Sequence, residues 1–510
     1  MSTARRPGPP HVGVTKAFLG MPEALPTFQE AAKDALADPV LRGNLAHATG
    51  TIRAKRAAVV AELDNWEELR LAAEAIKDRA LLSLDEHLEA FEANATAAGA
   101  TVHWARDAEE ANRIVVELVE AALGPADRRE VVKVKSMLTQ EIELNEALAA
   151  AGIDAWETDL AELIVQLGDD WPSHILVPAI HRNRAEVRDI FRREMAAVGR
   201  PAPDDLTDEP RRLAEAARLH LREKFLRAKV AISGANFAIA DTGSLVVVES
   251  EGNGRMCLTL PQTLISVVGI EKMLPSWRDL EVFLQVLPRS STGERENPYT
   301  SIWTGPAADD GPQRMHVVLV DNGRSQALAD PVGRTALRCI RCSACLNVCP
   351  VYERAGGHAY GSIYPGPIGA VLTPQLRGTR TAVDRSLPYA SSLCGACFDV
   401  CPVRIDIPSL LVHLRTRVVD DRRGKTPGPE AVAMRAASRL FADHRRFGAL
   451  ARVASLGGKA LRSRVFGAKR MLRRLPWPVG VWSRSRDAPV PPTETFRQWW
   501  ERTDGGRRPS

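Results

Sequence analysis

The chain has 510 residues, 45% hydrophobic and 26% charged, proportions ordinary for a soluble globular protein and a length that suggests several domains. A net charge of +5 is too small to mark a nucleic-acid binder, and no apolar run approaches the ~18 residues a membrane span needs. In the opening MSTARRPGPPHVG, Arg5 and Arg6 run into prolines rather than an apolar stretch, which argues against secretory and twin-arginine signals. The expected address is cytoplasmic, where thiols stay reduced and clustered cysteines bind metal more often than they pair.

Residues 14–99 read mostly as helix. In EELRLAAEAIKDRALLSLDEHLEAFEANATAAG, Leu69, Leu71, Ala72, Ala75, Ile76 and Ala80 recur at three-to-four spacing. From about residue 100 the pattern changes to short strands, TVHWA (101–105), VVKVKS (131–136), IDAWET (153–158) and HILVP (174–178), with helices such as 108–122 between them. This alternation predicts βαβ units and a mainly parallel, covered sheet. After a charged helix at 208–228, VAISGANFAIADTGSLVVVES predicts two strands punctuated by Gly234 and Gly243. MCLTLP and LISVVGI continue them, and MHVVLVDNGRS (315–325) is the last strand of the domain. ESEGNGRM reads as a hairpin turn, because Gly252, Asn253 and Gly254 tolerate positive φ.

Seven of the eight cysteines fall between residues 339 and 401. The first run is Cys339-x2-Cys342-x2-Cys345-x3-Cys349-Pro350, the second Cys394-x2-Cys397-x3-Cys401-Pro402. Two-cluster ferredoxins use C-x2-C-x2-C-x3-C-P twice, and the fourth cysteine of each run serves the other cluster. Aligned on its Cys-Pro end, the second run lacks its first member, and Ser391 stands there. Cysteines 339, 342, 345 and 401 are therefore expected to hold one [4Fe–4S] cluster, and Cys349, Cys394 and Cys397 a second. Zinc prefers two separated C-x2-C pairs per ion, a poor match to seven interleaved thiols. The second cluster is left as a three-iron form or a four-iron form with an outside ligand; Ser391 is one candidate, though a loop serine is commonly just that. Cys257, in a predicted strand, is expected to be a buried, inert thiol.

With these motifs in place, the chain resembles the lactate utilization protein B family. The likeness is carried by ETDLAELIVQLGDDWPSHILVPAIHRNR (157–184), GANFAIADTGSLVVVESEGNGRMCLTLP (234–261), GGHAYGSIYPGPIGAVLTP (356–374), LPYASSLCGACFDVCPVRIDIPSLL (387–411) and the C-terminal FRQWW. It implies a three-layer α/β lactate-utilisation domain similar to CoA transferases and sugar-phosphate isomerases. An α-helical, ferredoxin-like module with two [4Fe–4S] clusters would follow it, the second cluster held by three cysteines. It further implies an electron carrier in the oxidation of L-lactate to pyruvate, working with a cysteine-rich subunit and a second lactate-utilisation-domain protein. The expected divisions are a helical N-terminal extension (1–70), the α/β domain (71–325), the cluster module (326–420) and a basic, mainly helical C-terminal region (421–510).

Other polar groups on or beside strand ends are Lys133, Lys135, Glu157, Asp159, His174, His181, Asn236, Asp241 and Glu249. Strand ends are where open α/β sheets bind ligands, although capping and turn chemistry account for most such residues. ADTGSL is the best anion-loop candidate, through Gly243. No residue is assigned a catalytic role, since no nucleophile–base pair stands at a fixed spacing. In the C-terminal region Asp443 is the only acid between Arg435 and Arg486. That basic stretch reads first as a solvated face, then as a dock for an acidic partner through Trp477, Trp482, Trp499 and Trp500, then as a peripheral contact with the inner face of the membrane. A stand-alone enzyme binding a CoA ester or sugar phosphate, with structural clusters, is the rival reading; a nucleic-acid-binding regulator is a weaker one, and no nucleic acid is expected.

Overall fold

Six short strands, mostly buried apart from the edge strand Thr101–Ala105, where Thr101 and Trp104 are exposed, pair into one parallel sheet. Its strands are β1 (Thr101–Ala105), β2 (Glu130–Lys133), β3 (Asp154–Glu157), β4 (Val230–Ser233), β7 (Thr263–Gly269) and β10 (Arg314–Val320), in the spatial order β1-β10-β7-β4-β2-β3. Every pairing is parallel. The computed structural model describes residues 25–421, 428–461, 471–472, 487–503 and 505.

The period of two along each strand sends alternate side chains to opposite faces. Val318 and Val320 of β10 join the helix Ala108–Ala122 through Ala111, Val115 and Val119. Val317 and Leu319 meet Leu88 and Phe91 of the helix Leu84–Ala97. Farther along the sheet, Val132 and Ala231 pack under the helices Leu160–Leu167, Arg184–Val198 and Pro210–Arg227. The helix starts carry their expected caps. Asp107 accepts the Glu110 N–H at 2.9 Å, and Asn183 and Glu186 form a reciprocal capping box.

A second sheet of four strands, in the order β8-β5-β6-β9, comprises β5 (Phe237–Ile239), β6 (Ser244–Glu249), β8 (Met273–Leu274) and β9 (Tyr299–Trp303). The stretch 230–250 therefore carries three strands where two were expected. Two further expectations are corrected. ESEGNGRM is no hairpin turn: Gly252 (φ 82°) enters the helix Asn253–Thr259, which takes up MCLT, so Cys257 is helical rather than in a strand. The Glu249 carboxylate accepts the Gly254 and Arg255 N–H groups at 2.7 and 2.5 Å and so favours the helix start. HILVP forms no strand either, because its backbone is held in a loop by side chains described below.

The chain divides into two compact units, 1–420 and 421–510. In the first, the helices Pro39–Val60 and Trp66–Leu82 share one apolar core with the cysteine region, Leu45, Leu69 and Ile76 packing with Ile340, Leu346 and Tyr352. In the second are the helices Pro429–Phe441, His444–Leu461 and Phe496–Arg502, the last with the Thr495–Gln498 capping box. Arg5, Arg6, Trp477 and Trp482 lie outside the described residues. Among the described residues no helix is long and apolar enough to cross a membrane.

Across β2 and β3, at one edge of the sheet, Lys133 and Glu157 pair at 2.7 Å, both fully excluded from water. Breaking one member of such a pair costs about 3–5 kcal/mol, because the other charge stays buried without compensation. Lys133→Met is expected to lower unfolding free energy by about that much in a urea titration. A double replacement with Glu157→Leu should recover most of the loss.

Candidate functional site

Both cysteine runs bend through left-handed backbone. Arg341 (φ 62°) and Ser343 (φ 60°) separate the first three cysteines; Leu393 (φ 56°), Gly395 (φ 86°) and Arg404 (φ 50°) shape the second run. That conformation costs L-residues ~1–2 kcal/mol each, and it turns backbone N–H groups inward. Arg341 N–H donates to Cys339 Sγ at 3.4 Å, Tyr352 N–H to Cys349 Sγ at 3.5 Å, and Ile405 N–H to Cys401 Sγ at 3.3 Å. Cys349 caps the helix Pro350–Ala355, whose first position needs no N–H and accepts Pro350.

The sulfurs fall into two neighbourhoods. Cys339, Cys342, Cys345 and Cys401 line one small cavity walled by isoleucine and valine side chains. Cys349 and Cys397 are buried, and each feels the charge of the exposed Cys394. None of the seven is in a disulfide. Burial first, then neighbouring thiolates, push the Cys397 thiol up to about 12 and raise those of Cys342 and Cys345. Cys401 rises to about 11, burial being partly offset by the N–H groups of Ile405 and Val403. Sulfurs gathered this way become thiolates only beside a strong positive charge. The all-sulfur donor set suits a soft metal centre of the iron–sulfur kind. The Ser391 Oγ accepts the Leu393 N–H at 3.1 Å.

The rest of the first unit holds these loops in place. Arg70 donates to the carbonyls of Cys401 (2.9 Å) and Phe398 (3.0 Å), and Arg56 to that of Val400 (3.0 Å). From the α/β side comes the loop after Leu160–Leu167. Its Asp170 accepts from His181 Nε2 (2.8 Å) and from Arg182, and His181 Nδ1 meets Ser173 Oγ at 2.6 Å. Next to it, His174 Nδ1 accepts the Leu176 and Val177 N–H groups, which leaves Nε2–H to donate to Asn347 Oδ1 at 3.2 Å. Tyr352 then donates to the Ser173 carbonyl at 2.6 Å.

Beyond the carboxyl ends of β2, β4 and β7 lies a second cavity of about 280 Å³. Lys135 and Ser136, Asn236, and Glu271 and Lys272 follow those three strands into it, and Arg341 and Tyr364 reach it from the cysteine region. The Glu271 carboxylate binds Arg324 at 2.5 Å through one oxygen and Arg341 at 3.1 Å through the other. Burial would raise this carboxyl, but the two guanidinium groups hold it down to about 2. Arg324 also forks onto Glu141 at 2.8 and 2.9 Å.

Comparison with known proteins bears on both features. A family model described as the LUD domain matches residues 88–320, and one described as the 4Fe-4S dicluster domain matches 335–405. Lactate utilization protein B of Macrococcus caseolyticus is 41% identical over 480 residues, covering 93% of this chain and 97% of its own. The proteins of that name from Bacillus licheniformis and Bacillus subtilis are 42% and 41% identical, over 93% of this chain and 96% and 95% of theirs. The chain belongs to the lactate utilization protein B family. It thus joins a LUD domain with a parallel-sheet α/β core to a ferredoxin-like iron–sulfur module, as the resemblance in its motifs implied.

Within this family member the polar candidates divide. Lys135, Asp159, Asn236 and Glu249 line the strand-end cavity. Lys133 and Glu157 form a buried pair across β2 and β3, His174 ties the loop to Asn347 in the cysteine region, and His181 braces the loop from within. Asp241 accepts the Trp277 N–H in a turn. The ADTGSL expectation fails: a Cβ on Gly243 (φ 67°) would sit 2.2 Å from the Ala95 nitrogen, so the close approach is to a helix and leaves no place for an anion. Cys257 is buried as expected, against Thr158 Oγ at 3.4 Å, its thiol pushed up to about 12 by burial. Glu141, Glu271, Lys272, Arg324 and Arg341 went unnoticed in the sequence. Glu271 and Lys272 stand two and three residues past the end of the strand LISVVG, and the strand-end rule would have found them.

Burial holds the His174 imidazole down to about 3 against an ordinary 6.5. A base whose folded value is depressed contributes stability that is full above the unfolded value and lost as pH falls toward the folded one. Unfolding free energy should therefore drop by up to about 1.4 kcal/mol per pH unit from this group as pH falls from 6.5 toward 3. His174→Asn keeps an acceptor for the two N–H groups. Urea titrations across that window should show a shallower acid dependence for this variant.

Proposed function

We propose that this chain is an electron-transfer subunit in L-lactate degradation, serving the oxidation of L-lactate to pyruvate within a multi-protein complex. Cys339, Cys342, Cys345 and Cys401 would hold one [4Fe–4S] cluster, and Cys349, Cys394 and Cys397 a second. Clusters of this kind take up and release single electrons. The observation that carries the assignment is that Cys401, from the second run, lines the same cavity as the first three cysteines of the first run.

The chain's own residues set the conditions for that role. N–H groups from Arg341, Tyr352 and Ile405 point at sulfur, and such hydrogen bonds tune cluster potentials. None of the first four thiols is exposed, whereas Cys394 and its neighbour Leu393 are, so a partner would meet the second group at Cys394. On this reading the partners are a cysteine-rich subunit and a second lactate-utilisation-domain protein. The sheet covered on both faces supports a three-layer likeness to CoA transferases and sugar-phosphate isomerases. The proposed location is cytoplasmic. Peripheral membrane contact would use the helix His444–Leu461, which exposes Phe447, Leu450, Val453 and Leu456 beside its arginines.

Anaerobically purified protein is expected to contain about eight irons per chain. Cys401→Ser should lose the EPR signal of the first cluster and about half of the iron, while Cys397→Ser should affect the second. Loss confined to the second cluster in Cys401→Ser would reject the assignment, and zinc in place of iron would reject the electron-transfer role.

A further inference from the structure

The cavity at the strand ends has the position, size and charge of a ligand site. It opens beyond the carboxyl ends of three adjacent parallel strands, where open α/β sheets bind ligands. Its volume of about 280 Å³ falls below the ~300–1,000 Å³ usual for drug-sized molecules, so the occupant is small.

Its charged lining falls into two groups by contact. One is Lys272, Arg324 and Arg341 with the single carboxylate of Glu271, whose two oxygens are taken by the two arginines. Lys272 makes no side-chain hydrogen bond and no direct ion pair among the described residues, and the carboxylate that attracts it, Glu271, has both oxygens on the arginines. A half-buried ammonium without a hydrogen-bonding partner is poorly solvated, and an incoming anion relieves that cost. The other is Asp159, Glu249 and Glu251 with Lys135, which is bound to Asp159 at 3.2 Å. These carboxylates offer lone pairs to a donor such as a hydroxyl.

We propose that this cavity binds a small hydroxycarboxylate, its carboxylate on the Lys272 ammonium and its hydroxyl toward the acidic group. The choice of a hydroxy acid rests on the function proposed above; the unpaired cation and the cavity stand without it. The ligand would lie against the loop of the first cysteine group, because Arg341 both walls the cavity and donates its N–H to Cys339 Sγ.

The test uses the full-length chain purified anaerobically, with binding followed by calorimetry. L-lactate, its neutral amide lactamide and inorganic phosphate are the probes, and iron content and the visible spectrum are read alongside. L-lactate should bind, and lactamide should bind about tenfold or more weakly, since a charge-assisted contact is lost. Lys272→Met should weaken lactate binding about tenfold or more with iron unchanged, and Lys272→Arg should restore most of it. Undetectable lactate binding, lactamide or phosphate binding as tightly as lactate, or undiminished binding in an iron-replete Lys272→Met protein would each overturn the proposal. Should Lys272→Met fail to fold, the comparison of lactate with lactamide on the native chain decides alone. Failure here with both EPR signals intact leaves the electron-transfer reading standing, whereas failure of the Cys401→Ser experiment leaves the cavity untouched.

Discussion

One buried network of charge joins the two halves of the first unit. Glu141, Arg324, Glu271 and Arg341 alternate in sign, and all four are nearly excluded from water. Two cations and two anions cancel, so the network avoids the large penalty of an unpaired buried charge; removing any one member restores that penalty, at about 3–5 kcal/mol. Its geometry requires Gly269. A Cβ there would stand 2.2 Å from Glu271 Oε2 and 2.8 Å from Arg324 Nε. The end of β7 is thereby fixed relative to Arg341, and Arg341 belongs to the loop between Cys339 and Cys342.

The same logic explains how strained loops persist. Arg341 and Arg404 both sit in left-handed backbone, and both are anchored by their side chains. Arg341 binds Glu271 and lies 4.8 Å over the Tyr364 ring, while Arg404 reaches Glu67 and Glu74 of the helix Trp66–Leu82. Arg338, just before Cys339, binds Glu74 and Asp78 on that helix. A local cost of ~1–2 kcal/mol per residue is offset by ion pairs that exist only when the helices and the sheet are already assembled. The N-terminal helices thus act as a splint for the cysteine region.

Legibility in the sequence followed the range of the interactions. The helix 108–122 and the strands at 101, 131, 154, 230 and 263 were readable because hydrophobic period is a local signal. The cysteine runs were readable because the ligand spacing is local as well. Strand HILVP was misread because an apolar run does not reveal that His174 will use its own ring to hold the Leu176 and Val177 N–H groups. The turn at 252–254 was misread because the decisive group, the Glu249 carboxylate, acts on N–H groups five and six residues ahead of it. Glu271, Arg324 and Arg341 are separated by 53 and 70 residues along the chain, and no spacing rule reaches that far.

The two sulfur groups consequently stand in different electrostatic settings. The first lies in an apolar cavity next to the Glu271–Arg341 pair, in a region where Coulombic effects are weakly screened. The second includes the exposed Cys394, and there water and salt damp such effects within about 10 Å. A charge brought into the strand-end cavity acts on the first group through Arg341, which lines both cavities. The shared arginine makes the first group sensitive to what the α/β domain holds, and exposure leaves Cys394 to respond to whatever docks on the surface.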